Sequence, residues 1–240
     1  MAGAPGHSQA QLDTALVWYR AELNERLVVH WTGGAWRVPL STRHLPVAAA
    51  DGSPLGRLIC AEDGDLARAM AGLRPAGHGP DPEALVAAIT PHAALMARLR
   101  ALEGVPGDGW DADLAVRALR ATLTIDNPVT LLSAADRPIS ELAGRMAALA
   151  AGGVLWKPAP RAAASAHLLM RALAPLIGPA AALLQGDHAS GGLLARAATP
   201  LWLGQGVAPT ELGSYSRGQE ATLQAIFGST EPSAASSRRS

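Results

Sequence analysis

The chain of 240 residues has 49% hydrophobic residues and a formal net charge of zero, from 20 basic and 20 acidic side chains. This composition predicts a globular protein with a substantial core and without the positive field of a nucleic-acid-binding surface or a polybasic membrane patch. Apolar stretches are interrupted by Arg, His or Pro before the roughly eighteen residues of a membrane span, and no signal peptide is recognisable. The single cysteine, Cys60, excludes an internal disulfide, so we expect a cytoplasmic protein with no membrane partner.

The first half of the chain mixes helical and strand patterns. Apolar residues at three- and four-residue steps predict an opening helix over 11–30, and short β-prone runs with Gly33-Gly34 and Asp51-Gly52 turns predict strands between 28 and 60. A proline- and glycine-rich loop follows over 72–82. Further helices are predicted from Asp63, over 83–102 and over 111–123.

From Val129 onward short strands alternate with helices, in the order β-α-β-α-β-α-β. Because each right-handed crossover between parallel strands needs a covering helix, this order predicts an α/β fold with a Rossmann-like, doubly wound, mostly parallel sheet. The helix and hairpins of the first half precede it. We divide the chain into an N-terminal helix and tail (1–27), one cofactor-binding domain (28–213) and a polar, flexible C-terminal segment (214–240).

Several segments resemble the aldehyde dehydrogenase superfamily. The sequence Ala150-Ala151-Gly152-Gly153-Val154-Leu155-Trp156-Lys157-Pro158 matches the family's strand that ends in Lys-Pro, and Leu183-Leu184-Gln185-Gly186-Asp187 matches its next strand and Gly-Asp turn. The runs 31–36 and 46–56 are similar to its opening hairpins. The resemblance covers roughly 28–206 and implies the N-terminal, cofactor-binding half of such an enzyme.

The resemblance also implies a nicotinamide cofactor site, for NAD or NADP with weakened binding. Lys157, the only lysine beside nineteen arginines, takes the place of the family's lysine that contacts the adenosine ribose. The alternative is an inherited, packed residue without a ligand. The other residues implied in cofactor binding are Pro158, Gly186, Gly204 and Gln205.

Three departures from the family pattern weaken an enzymatic interpretation. The family's ribose-binding glutamate is Pro160 here, and its oxyanion-stabilising asparagine aligns with Asp136, whose carboxylate would repel an oxyanion. Cys60 lies in the hairpin region and matches no nucleophile, so we interpret it as a small buried hydrophobe. The chain ends before the family's catalytic cysteine, and we expect no catalytic residue and no aldehyde oxidation by this chain alone.

Other possible sites are set aside on their spacing. The seven histidines form no His-Glu-x-x-His motif and accompany no Cys-x-x-Cys pair, so no metal site is predicted. Asp187, His188 and Ser190 are sequence neighbours, which rarely form a catalytic triad, and we interpret them as a turn with Ser190 as helix cap. Trp156 and Trp202 are assigned to the core.

Three functions remain open at this point. The first is a catalytically inactive relative that acts as a binding, scaffolding or regulatory subunit of a larger complex. Its partner is another protein subunit, for which an intact dehydrogenase is a candidate. The second is the NAD(P)-binding half of a split aldehyde dehydrogenase. The third is a Rossmann-type module for another nucleotide or coenzyme A, with Lys157 meeting a phosphate.

Overall fold

A computed structural model describes residues 9–105, 109–122 and 127–204. These residues form eight α-helices and eight β-strands. They also form three 3-10 turns, at Thr90–His92, Pro160–Ala162 and Gly178–Ala180. The helices are α1 Gln9–Arg26, α2 Asp63–Gly72, α3 Pro82–Ile89, α4 Ala93–Leu102, α5 Ala112–Ala121, α6 Ile139–Leu149, α7 Ala163–Ile177 and α8 His188–Ala197. The strands are β1 His30–Thr32, β2 Ala35–Arg37, β3 His44–Ala48, β4 Pro54–Ile59, β5 Val129–Ser133, β6 Val154–Pro158, β7 Ala181–Leu183 and β8 Thr199–Leu203.

The main sheet has six strands in the order β2-β1-β7-β6-β5-β8, and β3 and β4 form a separate antiparallel pair. Strands β7, β6, β5 and β8 are parallel, whereas the β1–β2 hairpin joins β7 antiparallel. The chain therefore steps outward from β5 to β6 and β7, and then returns to the other side of β5. This is the predicted mostly parallel, Rossmann-like sheet, and the strand order reverses between β5 and β8.

Alternate residues of the parallel strands face two different layers. Trp156 and Leu183 are buried in the main hydrophobic core. Leu155 instead belongs to a smaller cluster with Leu194 of α8, and Thr130, its register partner on β5, donates a hydrogen bond to the Leu194 carbonyl at 2.8 Å. Because Lys157 is two residues beyond Leu155, its side chain lies on the α8 side of the sheet.

The opening helix α1 is tied to the sheet domain by a buried aromatic group. The Tyr19 hydroxyl lies 2.9 Å from Nδ1 of His167 on α7, and the His167 ring stacks on Trp36 of β2 with 4.2 Å between centroids. Burial lowers the pKa of His167 to about 3, so the imidazole is neutral in the fold. The predicted opening helix is confirmed, and it ends at Arg26 rather than near residue 30.

The single helix predicted over 83–102 was wrong. The structure divides it into α3 and α4, with a 3-10 turn at Thr90–His92 that contains Pro91. Proline lacks the N–H that continues an α-helix, and its ring clashes with the preceding turn. By length and composition the whole stretch Pro82–Leu102 could cross a membrane, and 28% of its apolar window is buried inside the protein, at residues that include Leu85, Ile89, Met96 and Leu99.

Helices α5 and α6 pack with their backbones in close approach at Gly144. A Cβ atom on Gly144 would overlap the carbonyl oxygen of Ala115 and would lie 2.8 Å from both the Ala118 Cβ and the Leu119 nitrogen. Each of the three neighbours belongs to α5. A residue without a side chain is therefore needed at this position for α5 to cover α6.

Helix α7 begins on a carboxylate from another element. Glu103, which follows α4, accepts hydrogen bonds from the backbone nitrogens of Ala164 and Ser165 at 2.7 and 3.1 Å. These are two of the N–H groups that a helix start leaves without an intrahelical partner. Burial raises the pKa of Glu103 to about 7, although these hydrogen bonds oppose the rise. This contact fixes α7, which directly follows the strand bearing Lys157.

Candidate functional site

A pocket lies at the carboxyl ends of the parallel strands, where the strand order reverses. Its volume is about 130 Å³, below the roughly 300 Å³ at which small-molecule pockets usually begin, so it can hold only part of a nucleotide. Open α/β sheets bind ligands in this position. The residues that line it are Leu132, Ser133, Lys157, Ala159, Pro160, His188, Gly191 and Trp202.

Strand register brings three of these side chains into one row. Leu132 of β5 is paired with Lys157 of β6 on one side and with Trp202 of β8 on the other. Register partners in neighbouring strands point to the same face of a sheet. The amine of Lys157 and the indole of Trp202 therefore flank Leu132 within the same pocket.

Lys157 is buried but lines this small pocket. Its relative exposure is 7%, and no residue in the described ranges offers its Nζ atom a hydrogen bond. Burial lowers the pKa of Lys157 to about 8, against the opposing attraction of Asp187 and Cys60. A largely buried lysine whose amine opens to a pocket and has no hydrogen-bond partner in the described chain is a candidate ligand contact.

The start of α8 forms one wall of the pocket. Asp187 caps this helix by accepting a hydrogen bond from the Ser190 nitrogen at 3.1 Å, and it forms an ion pair with Arg43. Burial alone would raise the pKa of Asp187, but the bonds from Arg43 and Ser190 lower it to about 2. The predicted turn is confirmed, whereas the assignment of Ser190 as the cap was wrong, because Asp187 is the capping residue.

Gly186 and Pro158, both predicted to bind cofactor, lie beside the pocket rather than in its described lining. A Cβ atom on Gly186 would overlap the Ser190 side chain, and that side chain is held in place by a 2.8 Å hydrogen bond from its hydroxyl to the Ala61 carbonyl. Pro158 is buried at the end of β6 and is paired with Ser133. Gly186 thus shapes the turn into α8, and Pro158 ends the strand that holds Lys157.

The glycine turn after β8 is described only at its first residue. A Cβ atom on Gly204 would overlap the Trp202 indole and would lie 3.0 Å from the Ala134 Cβ, so Gly204 lets Trp202 fold beneath it. Gln205, the remaining predicted cofactor residue, is outside the described residues. So is the polar segment predicted over 214–240.

The three departures from the dehydrogenase pattern occupy distinct places. Pro160 lines the pocket, where its ring offers no hydrogen-bond acceptor. Asp136 lies in the turn after β5, and its Oδ1 atom is buried without a hydrogen-bond partner in the described parts of the chain. Cys60 is completely buried in the main core, and burial raises the pKa of its thiol, as expected of a small buried hydrophobe.

Sequence patterns did not assign Ser133, His188, Gly191 or Trp202 to a ligand site, although all four line the pocket. The assignment of Trp202 to the core was wrong in part, because this residue is only half-buried. Trp156 is a core residue as predicted, and its Nε1 donates to the Ser133 hydroxyl oxygen at 2.9 Å. A prediction of strand register would have placed Trp202 in the pocket, because Trp202 and Lys157 lie on either side of the same residue of β5.

The described residues hold no group of three or more His, Cys, Asp or Glu side chains able to bind a metal ion. The possible triad is also excluded by geometry. The Ser190 hydroxyl donates to a backbone carbonyl, and Asp187 is paired with Arg43. His188 is exposed, and it is neither oriented by the Asp187 carboxylate nor hydrogen-bonded to the Ser190 hydroxyl.

The fold is similar to solved aldehyde dehydrogenases. Δ-Pyrroline-5-carboxylate dehydrogenase from Mycobacterium tuberculosis, bound with NAD and cobalamin, has a TM-score of 0.58 and 18% identity, over 84% of this chain and 48% of that chain. A variant of aldehyde dehydrogenase C from Pseudomonas syringae, in complex with NAD⁺ and octanal, gives 0.56 and 19%, over 74% and 50%. The NADP complex of the NADP-dependent glyceraldehyde-3-phosphate dehydrogenase from Bacillus halodurans gives 0.54 and 18%, over 70% and 45%.

The chain therefore has the Rossmann-like fold of the N-terminal part of aldehyde dehydrogenases. It spans about half of the length of the solved structures that it resembles. No protein-family model matches the sequence, and no curated protein matches it either. At these identities the likeness defines the fold alone.

Proposed function

We propose that this chain is a non-catalytic, aldehyde-dehydrogenase-like binding subunit whose Lys157 pocket takes the adenosine end of NAD or NADP. The supporting observation is the position of the pocket: it lies between β5 and β8 at the carboxyl ends of the strands, with the buried Lys157 amine directed to that side. Two of the similar structures are described as bound with NAD or NAD⁺ and one as bound with NADP. Since Pro160 offers no carboxylate to the ribose, we expect weaker binding than the family resemblance would imply.

The chemistry of the described residues supports binding rather than turnover. The only thiol in the sequence, Cys60, is completely buried with a raised pKa, and attack on an aldehyde carbon requires an accessible thiolate. The aligned position of the oxyanion donor is a carboxylate, Asp136. In this proposal the chain keeps a ligand site, but that site has no group placed to form or stabilise a tetrahedral adduct.

The purified chain should not reduce NAD or NADP in the presence of an aldehyde such as propanal. The measurement is the absorbance of the reduced nicotinamide over time, with Cys60→Ser as the matched variant. Turnover that depends on Cys60 would contradict the proposal, because it would require this buried thiol to reach a substrate.

A second candidate is the NAD(P)-binding half of a split aldehyde dehydrogenase. It keeps the Lys157 pocket as the nucleotide site. Under this alternative a separate chain supplies the nucleophile, and the two chains together oxidise aldehydes. The third candidate, a module for another nucleotide or coenzyme A, differs from both because its ligand would contact Lys157 through a phosphate.

In this proposal the subunit acts in the cytoplasm and has a protein partner, for which an intact dehydrogenase is one candidate. Large apolar side chains remain exposed at Val38 and Leu40, which follow the edge strand β2, and at Val17 and Trp18 on α1. We assign the partner contact to these exposed side chains, because exposed apolar surface can mark an interaction site. A pull-down with the full chain as bait, followed by mass spectrometry, would identify the partner.

A further inference from the structure

Lys157 combines three features that favour covalent chemistry of its amine. Its side chain is 7% exposed, and it lines a pocket with the apolar residues Leu132 and Ala159. In the described ranges, Nζ has no hydrogen-bond partner that would hold it as an ammonium ion. A desolvated lysine in an apolar site is neutral more often than an exposed lysine, and the neutral amine is a nucleophile.

We infer that Lys157 forms a reversible imine with short aliphatic aldehydes. The pocket volume of about 130 Å³ limits the length of the aldehyde, and the walls formed by Leu132, Pro160 and Trp202 favour an unbranched hydrocarbon chain. This inference does not rest on nucleotide binding. Labelling can be measured without nucleotide, and nucleotide binding without aldehyde, so either can fail alone.

The reaction is balanced without a redox partner. The Nζ lone pair attacks the carbonyl carbon, the carbonyl π electrons move to oxygen, and a proton passes from nitrogen to that oxygen to give a carbinolamine. The carbinolamine then loses water as the nitrogen lone pair forms the C=N bond. The net change is one amine and one aldehyde to one imine and one water.

One pocket residue is suited to the proton movements. His188 lines the same pocket as Lys157, and an imidazole can carry a proton from nitrogen to the departing water. This residue acts only if the aldehyde carbon reaches Nζ of Lys157.

The test is reductive trapping of the imine on the full chain. Butanal is added at pH 7.5, sodium borohydride reduces the imine to a stable butylamine, and peptide mapping by mass spectrometry measures the fraction of Lys157 that carries one butyl group. At this pH a lysine with a pKa near 8 is neutral on the order of 100 times more often than an ordinary lysine. We expect Lys157 to be trapped at least ten-fold faster than Nα-acetyl-lysine in the same solution.

The single lysine makes the controls unambiguous, because the only other primary amine that reacts in this way is the N-terminal one. Lys157→Arg keeps a positive charge without a comparable nucleophile and should leave N-terminal labelling only. Unfolding in guanidinium chloride should slow the trapping of Lys157 to the rate of Nα-acetyl-lysine. Labelling confined to the N-terminus, or trapping of Lys157 in the folded chain no faster than that of Nα-acetyl-lysine, would overturn the inference.

Discussion

Replacement of Lys157 by Met should stabilise the protein. The pKa of Lys157 is lowered from 10.5 to about 8 by burial, which corresponds to a cost of about 3 kcal/mol at pH 7, where the amine is charged in both the folded and the unfolded chain. Methionine has a similar length and no charge to desolvate. We therefore expect urea unfolding to give a free energy of unfolding that is higher by up to about 3 kcal/mol, with an unchanged denaturant slope.

The pH dependence of this effect has a definite sign. Between pH 8 and pH 10.5 the folded chain has released the Lys157 proton while the unfolded chain retains it, so the free energy of unfolding rises with pH in this window. The Met variant should lack this rise. Lys157→Arg, which stays charged, should be less stable than the natural protein at every pH. If the Met variant were no more stable at pH 7, the charged amine of Lys157 would be hydrated or hydrogen-bonded in the folded protein, and its burial would carry no such cost.

Replacement of Gly144 by Ala should destabilise the protein by about 3 kcal/mol or more, because the added methyl group overlaps backbone atoms of α5. Helix propensity alone acts in the opposite direction and favours alanine by about 1 kcal/mol. The steric effect is larger, since the Ala115 carbonyl oxygen cannot move away without shifting the whole of α5. Urea unfolding monitored by circular dichroism measures the change.

Gly109→Ala is the matched control for this prediction. A Cβ atom at Gly109 would meet no other atom within 4 Å, so this substitution should change the free energy of unfolding by no more than about 0.5 kcal/mol. If Gly144→Ala proved equally mild, α5 and α6 could not approach each other as closely as the structure describes. The contrast between two chemically identical substitutions isolates the packing effect from glycine's backbone entropy.

Much of the fold follows from local sequence patterns. The alternation after Val129 predicted β5, β6, β7 and β8 in the correct order, because buried parallel strands and their crossover helices have different periodicities. The break between α3 and α4 could have been predicted from Pro91 alone. The capping of α7 by Glu103 could not, since it joins residues about sixty positions apart.

The candidate site divides in the same way. The Lys-Pro segment was enough to identify Lys157, and the sequence also shows that it is the only lysine. Trp202 reaches the pocket because its strand, β8, is in register with β5, and Ser133 reaches it because it lies at the end of β5. Both positions depend on the assembled sheet. The ion pair of Arg43 with Asp187 joins the residue before β3 to the cap of α8, 144 positions away, so sequence spacing could not predict it.

The central proposal is that the Lys157 pocket binds a nicotinamide nucleotide, and titration calorimetry of NAD into the full chain tests it most directly. The natural protein should give a saturable heat of binding, and Lys157→Met, whose fold is expected to be more stable, should bind at least ten-fold more weakly, a loss of about 1.4 kcal/mol. The absence of saturable binding to the natural protein, or equal affinity of both proteins, would contradict the proposal.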